Sequence, residues 1–172
     1  MAQVGDSFTI GGYRPGLIGR LTALHARYYA ESWGFDLSFE IQVAGELSAF
    51  MRDFVPGRDG IFAAYAGEDL AGAAAVDGKD AAGEGARLRW FIVAPRFQGA
   101  GLGRAILREA VSLSDLAGHP RMFLWTFRGL DAARKLYEEA GFVLSVEHEV
   151  RQWGNRITEQ KFTRIHPKGG RP

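Results

Sequence analysis

The sequence predicts an α/β fold built on a mixed sheet. Three observations carry that prediction. Two stretches near the start place apolar residues at spacings of three and four. A hairpin pattern of two short apolar runs follows. Strands and helices then alternate until two closing strands.

Asp6 to Tyr13 reads as a short strand. Leu17, Ile18, Leu21, Leu24, His25, Tyr28 and Tyr29 form one helical stripe, so residues 17 to 32 are predicted helical, with Gly34 as the stop. A second helix is predicted from Leu37 to Asp53, with Phe39, Val43, Leu47 and Phe50 on one face and Pro56-Gly57 closing it. Ile61–Ala66 and Leu70–Val76 flank Gly67-Glu68-Asp69 as a hairpin. Asp77 to Gly85 is rich in Gly, Ala and charge and reads as a mobile loop. Ala86–Ala94 is the fourth predicted strand and runs into Pro95.

Residues 101 to 117 repeat Leu102, Ile106, Ala110 and Leu113 at helical spacing, and Gly118 and Pro120 end that helix. Met122–Thr126 is the fifth strand. Asp131–Ala140 is a compact helix with Asp131 as N-cap and Gly141 just past its end. Strands at about 142–150 and 157–164 complete the pattern.

A length of 172 residues fits one domain, placed at 1–165, with 166–172 as a disordered tail. The apolar share of 47% suffices for one core. Lys plus Arg number 21 against 20 Asp plus Glu, and no local basic patch stands out, so no nucleic-acid partner is expected. The absence of cysteine removes disulfides, thiolate metal sites and a Cys nucleophile. The histidines, His25, His119, His148 and His166, show no ligand spacing, so no metal is expected. The mixed N-terminus and the lack of an apolar run near the ~20 residues that span a bilayer predict no signal peptide, no membrane association and a cytoplasmic location.

The most informative segment is Gln98-Gly99-Ala100-Gly101-Leu102-Gly103-Arg104, which joins the fourth strand to a helix. Small or absent side chains let a ligand approach the backbone. The free N–H groups of a first helical turn, with the helix dipole, attract an anion such as pyrophosphate. A dinucleotide fingerprint starting at Gly99 needs a third glycine where Arg104 stands, and a P-loop fails at Arg104, Ala105 and Ile106. On glycine content alone, a tight turn without a ligand is an equal alternative.

Gln98-x-x-Gly101-x-Gly103 resembles the acyl-CoA pyrophosphate motif of the GNAT superfamily of N-acetyltransferases. Ala133-x-x-Leu136-Tyr137-Glu138-x-x-Gly141-Phe142 is similar to that family's downstream helix. Tyr13-Arg14-Pro15-Gly16, Leu124-Trp125-Thr126 and Leu130-Asp131-Ala132-Ala133 add a likeness to GNAT domains often fused to MarR-type regulators, here read as stand-alone. The resemblance implies a mostly antiparallel sheet of about six or seven strands with about four helices. It also implies a cofactor cleft where the fourth and fifth strands splay, acetyl-CoA as co-substrate and a homodimer.

Under that likeness, Gln98, Gly99, Ala100, Gly101, Gly103 and Arg104 hold the pyrophosphate, and Ile92 and Val93 pair with the pantetheine arm. Tyr137 protonates the leaving thiolate, a role open to a phenol beside sulfur. The acceptor is a small-molecule or protein amine, acetylated by direct ternary-complex transfer. The sequence departs from the family at Leu130, where Asn is frequent, and at Arg87, where some members carry a basic Glu. Those departures keep a non-catalytic acyl-CoA sensor as the alternative.

Glu40 is the first candidate for the general base, ahead of Glu46, Asp77, Glu147, His148 and Glu149. Arg87 and Arg89 alternate with Leu88 and Trp90, which predicts that they share one face with Phe91 and Val93. They are either acceptor-carboxylate ligands or a solvent-facing pair. Arg89, Trp33 and Tyr29 are the acceptor-site candidates, and an aromatic core is the alternative for the last two.

Overall fold

The computed structural model describes residues 2–4 and 8–167. Its strands are β1 (Ala2–Val4), β2 (Phe8–Gly11), β3 (Gly60–Ala66), β4 (Asp69–Asp77), β5 (Ala86–Val93), β6 (Arg121–Phe127), β7 (Val143–Gln152) and β8 (Asn155–Ile165). The helices are α1 (Leu17–Trp33), α2 (Leu37–Arg52), α3 (Leu102–Leu116) and α4 (Asp131–Glu139). The strands form one sheet in the order β1-β2-β3-β4-β5-β6-β8-β7. Every pairing is antiparallel except β5 with β6. The expected mixed, mostly antiparallel sheet with four helices is therefore present.

The strand count is eight rather than six or seven, because Ala2–Val4 adds an edge strand paired with Phe8–Gly11. The strands expected as fourth and fifth are thus β5 and β6. Asp6 and Ser7, placed in the first strand by the sequence, lie outside the described residues, as do 168–172 of the expected tail. His166 is described, and its amide donates to the Pro120 carbonyl at 3.0 Å.

Two layers cover the sheet. On one face α3 and α4 enclose Val76, Leu88, Leu102, Ile106, Met122, Leu124, Phe142 and Phe162. On the other, α1 and α2 bury Leu17, Leu21, Leu47 and Phe50 against Ala63, Ala73 and Ala75. The alanines keep the sheet surface flat enough for the helices to seat closely. Each buried Leu or Phe contributes on the order of 1.5–3 kcal/mol.

Local signals explain the boundaries. Asp36 caps α2 by accepting from the Ser38 amide at 3.0 Å. Gly34, with φ of 67°, ends α1, and the Phe35 amide returns to the Tyr29 carbonyl at 3.2 Å. The Gly34 amide closes the turn on the Ala30 carbonyl at 3.0 Å, a five-to-one left-handed cap, and Phe35 stacks on Tyr29 with centroids 5.6 Å apart. Asp131 is not the N-cap of α4. Leu130 holds that position without a side-chain bond, and Asp131 supplies negative charge in the first turn. The 77–85 loop is held by its own hydrogen bonds, from Gly83 and Gly85 amides to the Asp80 carbonyl and from the Glu84 amide to its carboxylate.

Candidate active site

The gap begins where β5 and β6 stop pairing. They meet only at Ala86↔Met122 and Arg87↔Phe123. Beyond that point β5 carries a bulge. Ala73 faces Ile92 and Ala75 faces Arg89, so Trp90 and Phe91 together stand against Ala74. Trp90 takes a φ of 49°, a left-handed conformation unusual for a bulky residue. A bulge bends the strand that carries it, and here it turns β5 away from β6. A cavity of about 890 Å³ occupies the gap.

The bulge also overturns the predicted alternation. Trp90 packs on Phe50 of α2, centroids 5.5 Å apart, on the same side as Arg89. Phe91 turns the other way, to Tyr137 at 5.6 Å. Ile92 then joins the α1/α2 cluster and Val93 the α3 cluster. Arg87 and Arg89 therefore do not share a face with Phe91 and Val93. The extra residue shifts the two-residue period by one.

One wall of the cavity is the 98–104 loop. Gly99 and Gly101 have φ of 83° and 77°, which favours glycine, and a Cβ on either would meet nothing within 4 Å. The backbone there faces open space. Gly103 is a glycine for a different reason: its Cβ would press on Leu136 at 3.1 Å and Phe91 at 3.3 Å. Gly101 caps α3 without a side-chain bond, and the first amide returning to it is that of Ala105, at 3.2 Å. The amides of Leu102, Gly103 and Arg104 thus precede the intrahelical ladder, as an anion site requires. A pyrophosphate fits this chemistry.

Gln98 lines the cavity and donates its side-chain amide to the Val93 carbonyl at 3.1 Å. The Ala94 amide bonds to Ala71 at 2.8 Å, toward β4. Strand alternation therefore turns the Val93 amide into the gap. Ile92 also borders the cavity, with its side chain buried under α1 and α2. Arg104 borders it too, with its guanidinium on Glu139 at 2.7 Å. Ala100 is exposed and does not line the cavity.

Tyr137 sits at the meeting of the two walls. Its ring belongs to the α3/α4 core, and its side chain lines the cavity. Burial pushes its phenol far above the usual tyrosine range, and nearby Tyr29 adds to that. Tyr137 is therefore protonated at neutral pH. Tyr29, across the gap, is raised by the same cause, burial first and then Tyr28. Its ring is held among His25, Tyr28, Phe35, Phe39 and Phe127. Trp33 lies edge-on to Phe127 at 4.8 Å and also borders the cavity. These aromatics pack against the core, and their inner surface lines the gap.

Glu40, the expected base, is exposed on α2 and lies outside the cavity. It follows Phe39 by one position, about 100° around the helix, and turns to solvent. Glu46 does line the cavity and pairs with Arg89. Its signal was its place three residues after Val43 and four before Phe50, beside the apolar stripe. Arg89 is further bound by Asp77 at 3.3 Å and lies on the Trp90 ring at 4.2 Å. Two carboxylates thus already hold the arginine expected to meet the acceptor.

The histidine read as part of a core stripe, His25, lines the cavity as well. Its Nδ1 is 2.9 Å from the Leu21 carbonyl, so Nδ1 carries the proton and Nε2 is the acceptor. Burial lowers its pKa to about 4, outweighing that hydrogen bond, and keeps the ring neutral.

A family model for the acetyltransferase (GNAT) family matches residues 19–142. The chain belongs to the GNAT acetyltransferase family. Solved GNAT-type folds agree across the whole length. The yncA structure from Salmonella typhimurium, solved with its cofactor acetyl-CoA, superposes with a TM-score of 0.73 at 13% identity, covering 97% of this chain and 98% of that one. Spermidine N-acetyltransferase from Vibrio cholerae, in complex with CoA and spermine, gives 0.71 at 20%, covering 96% and 99%. The ribosomal-protein-S18-alanine N-acetyltransferase from Escherichia coli gives 0.68 at 20%, covering 95% and 96%. A comparison with curated protein sequences gives no match.

In this GNAT domain the departure at Leu130 has a structural consequence. The side chain packs with Phe35, Phe39 and Phe127 and offers no hydrogen bond toward the gap. Among the described residues, no group of three acidic or histidine side chains could hold a metal, and no helix is long and apolar enough to cross a membrane.

Proposed function

We propose that this GNAT domain, residues 1–165, transfers an acetyl group from acetyl-CoA to a primary amine in a ternary complex, in the cytoplasm. The observation that carries the reading is the Gly99–Gly101 helix start opening onto the same cavity as Tyr137. When bound there, acetyl-CoA supplies a thioester and leaves as a thiol. The 98–104 backbone, with Gln98, holds its phosphates. The Val93 amide faces the gap and is placed to polarise a carbonyl.

Tyr137 holds a proton for the departing sulfur. Burial makes it a weak acid, so it yields that proton only as the C–S bond breaks, and the proton the nitrogen sheds on becoming an amide restores the phenol. His25 Nε2 accepts a hydrogen bond from the incoming amine. A ring with a pKa of about 4 does not take a proton from an alkylammonium near 10, so the amine enters neutral. The absence of cysteine from the sequence supports transfer without an acyl-thiol enzyme.

The reading is tested by thiol release from acetyl-CoA across a panel of alkylamines, polyamines and peptide N-termini. Amine-dependent release with an N-acetyl product is expected. Tight CoA binding with no release for any amine supports a non-catalytic acyl-CoA sensor instead.

A further inference from the structure

Arg87 is the unexplained charge of the cavity. It stands on the last residue pair before β5 and β6 part, and it lines the gap. Its Nε is buried without a hydrogen-bond partner. No ion pair reaches its guanidinium among the described residues, whereas Arg89, two positions on, is held by Glu46 and Asp77. Burial and the neighbouring Arg89 weaken its hold on its proton, despite the nearby charges of Glu46, Asp77 and Glu84. A half-buried cation without a partner is costly, and an anion bound beside it offsets that cost.

The bulge defines which anion. Because Trp90 shifts the alternation, Arg87 and Arg89 face α2, away from Phe91, Val93 and the 98–104 loop. Arg87 therefore lies across the sheet from the phosphate cradle, on the acceptor side. The strand rise separates it from Phe91, on which Tyr137 packs, by roughly 13 Å of backbone. An acceptor whose nitrogen lies near Tyr137 and whose anion lies at Arg87 is extended.

We propose that Arg87 is an acceptor-recognition residue, and that this enzyme's amine substrates carry a carboxylate or similar oxyanion several bonds from the nitrogen. This rests on the acetyl-transfer reading above. Arg89 is a bystander in that recognition, its charge already met by Glu46 and Asp77.

The test compares 6-aminohexanoate with hexylamine, which differ by the carboxylate. Wild type is expected to favour 6-aminohexanoate at least tenfold in kcat/KM. Arg87→Met is expected to cut that lead to within twofold, while Arg87→Lys retains part of it. With turnover observed, a lead absent from wild type, or undiminished in Arg87→Met, overturns the proposal.

A readout free of turnover separates the two readings. Calorimetry of 6-acetamidohexanoate binding to the CoA-loaded protein should show at least tenfold weaker binding in Arg87→Met. Equal binding overturns the role of Arg87. Arg87-dependent binding without acetylation of any amine leaves that role standing and removes the transfer reading. The melting temperature of Arg87→Met should be unchanged or higher, because an uncompensated charge is removed. A marked fall assigns Arg87 to structure and overturns the proposal.

Discussion

On one face of the sheet, α3 and α4 cover a dense, mostly aliphatic cluster centred on Ile106, Leu124 and Phe162. On the other, α1 and α2 cover rings: Tyr29, Phe35, Phe39, Trp33, Phe127 and Trp153. The first face presents backbone amides to the cavity, through the Gly99–Gly103 turn. The second presents side chains, namely His25, Glu46, Arg87 and Arg89. Backbone recognition is local and tolerates any neighbouring side chain that keeps the turn. Side-chain recognition is assembled from distant elements, and each member is set by its neighbours' charges. The proposed cofactor site thus draws on the backbone of one face, and the proposed acceptor site on the side chains of the other.

The largest expected effect separates the faces by removing the first. Gly101→Glu places a carboxylate where an anion should bind and forces a side chain onto a φ of 77°. The left-handed strain costs about 1–2 kcal/mol, which a domain with open space around that Cβ survives. CoA affinity by calorimetry should fall at least a hundredfold, while Trp fluorescence from the α1/α2 face stays unchanged. Unaltered CoA affinity would remove the 98–104 loop from the site.

Tyr137→Phe tests the residue at the junction. The ring still packs on Phe91 and Phe162, so binding of CoA should move less than threefold. Turnover should fall about a hundredfold, the usual scale for losing a positioned acid. A loss of CoA affinity equal to the loss of rate would make Tyr137 a packing residue of the first face.

On the second face, Glu46→Gln frees one side of Arg89. Arg89 stays on Asp77, the cavity loses the Glu46 carboxylate that lines it, and kcat/KM for amines should fall about tenfold with CoA binding intact. Glu40→Gln, on the solvent side of α2, should change turnover less than twofold. The reverse ranking would restore Glu40 as the base and place the acceptor outside the cavity described above.

What was legible in the sequence follows the same division. The cradle is seven consecutive residues, so its meaning survives without tertiary structure. The elements around it were legible because apolar spacing shows through directly. The second face was not. Trp90 breaks the strand period, and nothing in Arg-Leu-Arg-Trp-Phe marks a bulge, so Arg89 was assigned to the face of Phe91. Glu40 and Glu46 differ only in helical phase relative to Phe39, Val43 and Phe50, a distinction of one position. His25 looked like core because it is core, with its second nitrogen left as an acceptor. Ala2–Val4 was missed because three residues are too few to show a period, and it pairs only at the edge.

The smallest effect concerns pH, and it too divides the faces. His25 has a folded pKa of about 4, below the ordinary 6.5. Between those values the unfolded chain binds a proton that the folded chain does not. Stability therefore rises with pH across that window, and it is lost as pH falls from about 6.5 toward 4. From pH 7 to pH 6 the loss is only about 0.7 kcal/mol, or roughly 2 °C in Tm for a domain of this size. It grows to about 2 kcal/mol by pH 5. His25→Gln, which keeps an amide donor for the Leu21 carbonyl, should flatten the Tm profile between pH 7 and pH 5. The α3/α4 cluster contains no histidine, so variants there, such as Ile106→Val, should shift the profile down without changing its slope. A slope unchanged in His25→Gln would mean that His25 is hydrated and titrates normally. It would then be available as a base, and the second face would carry chemistry as well as recognition.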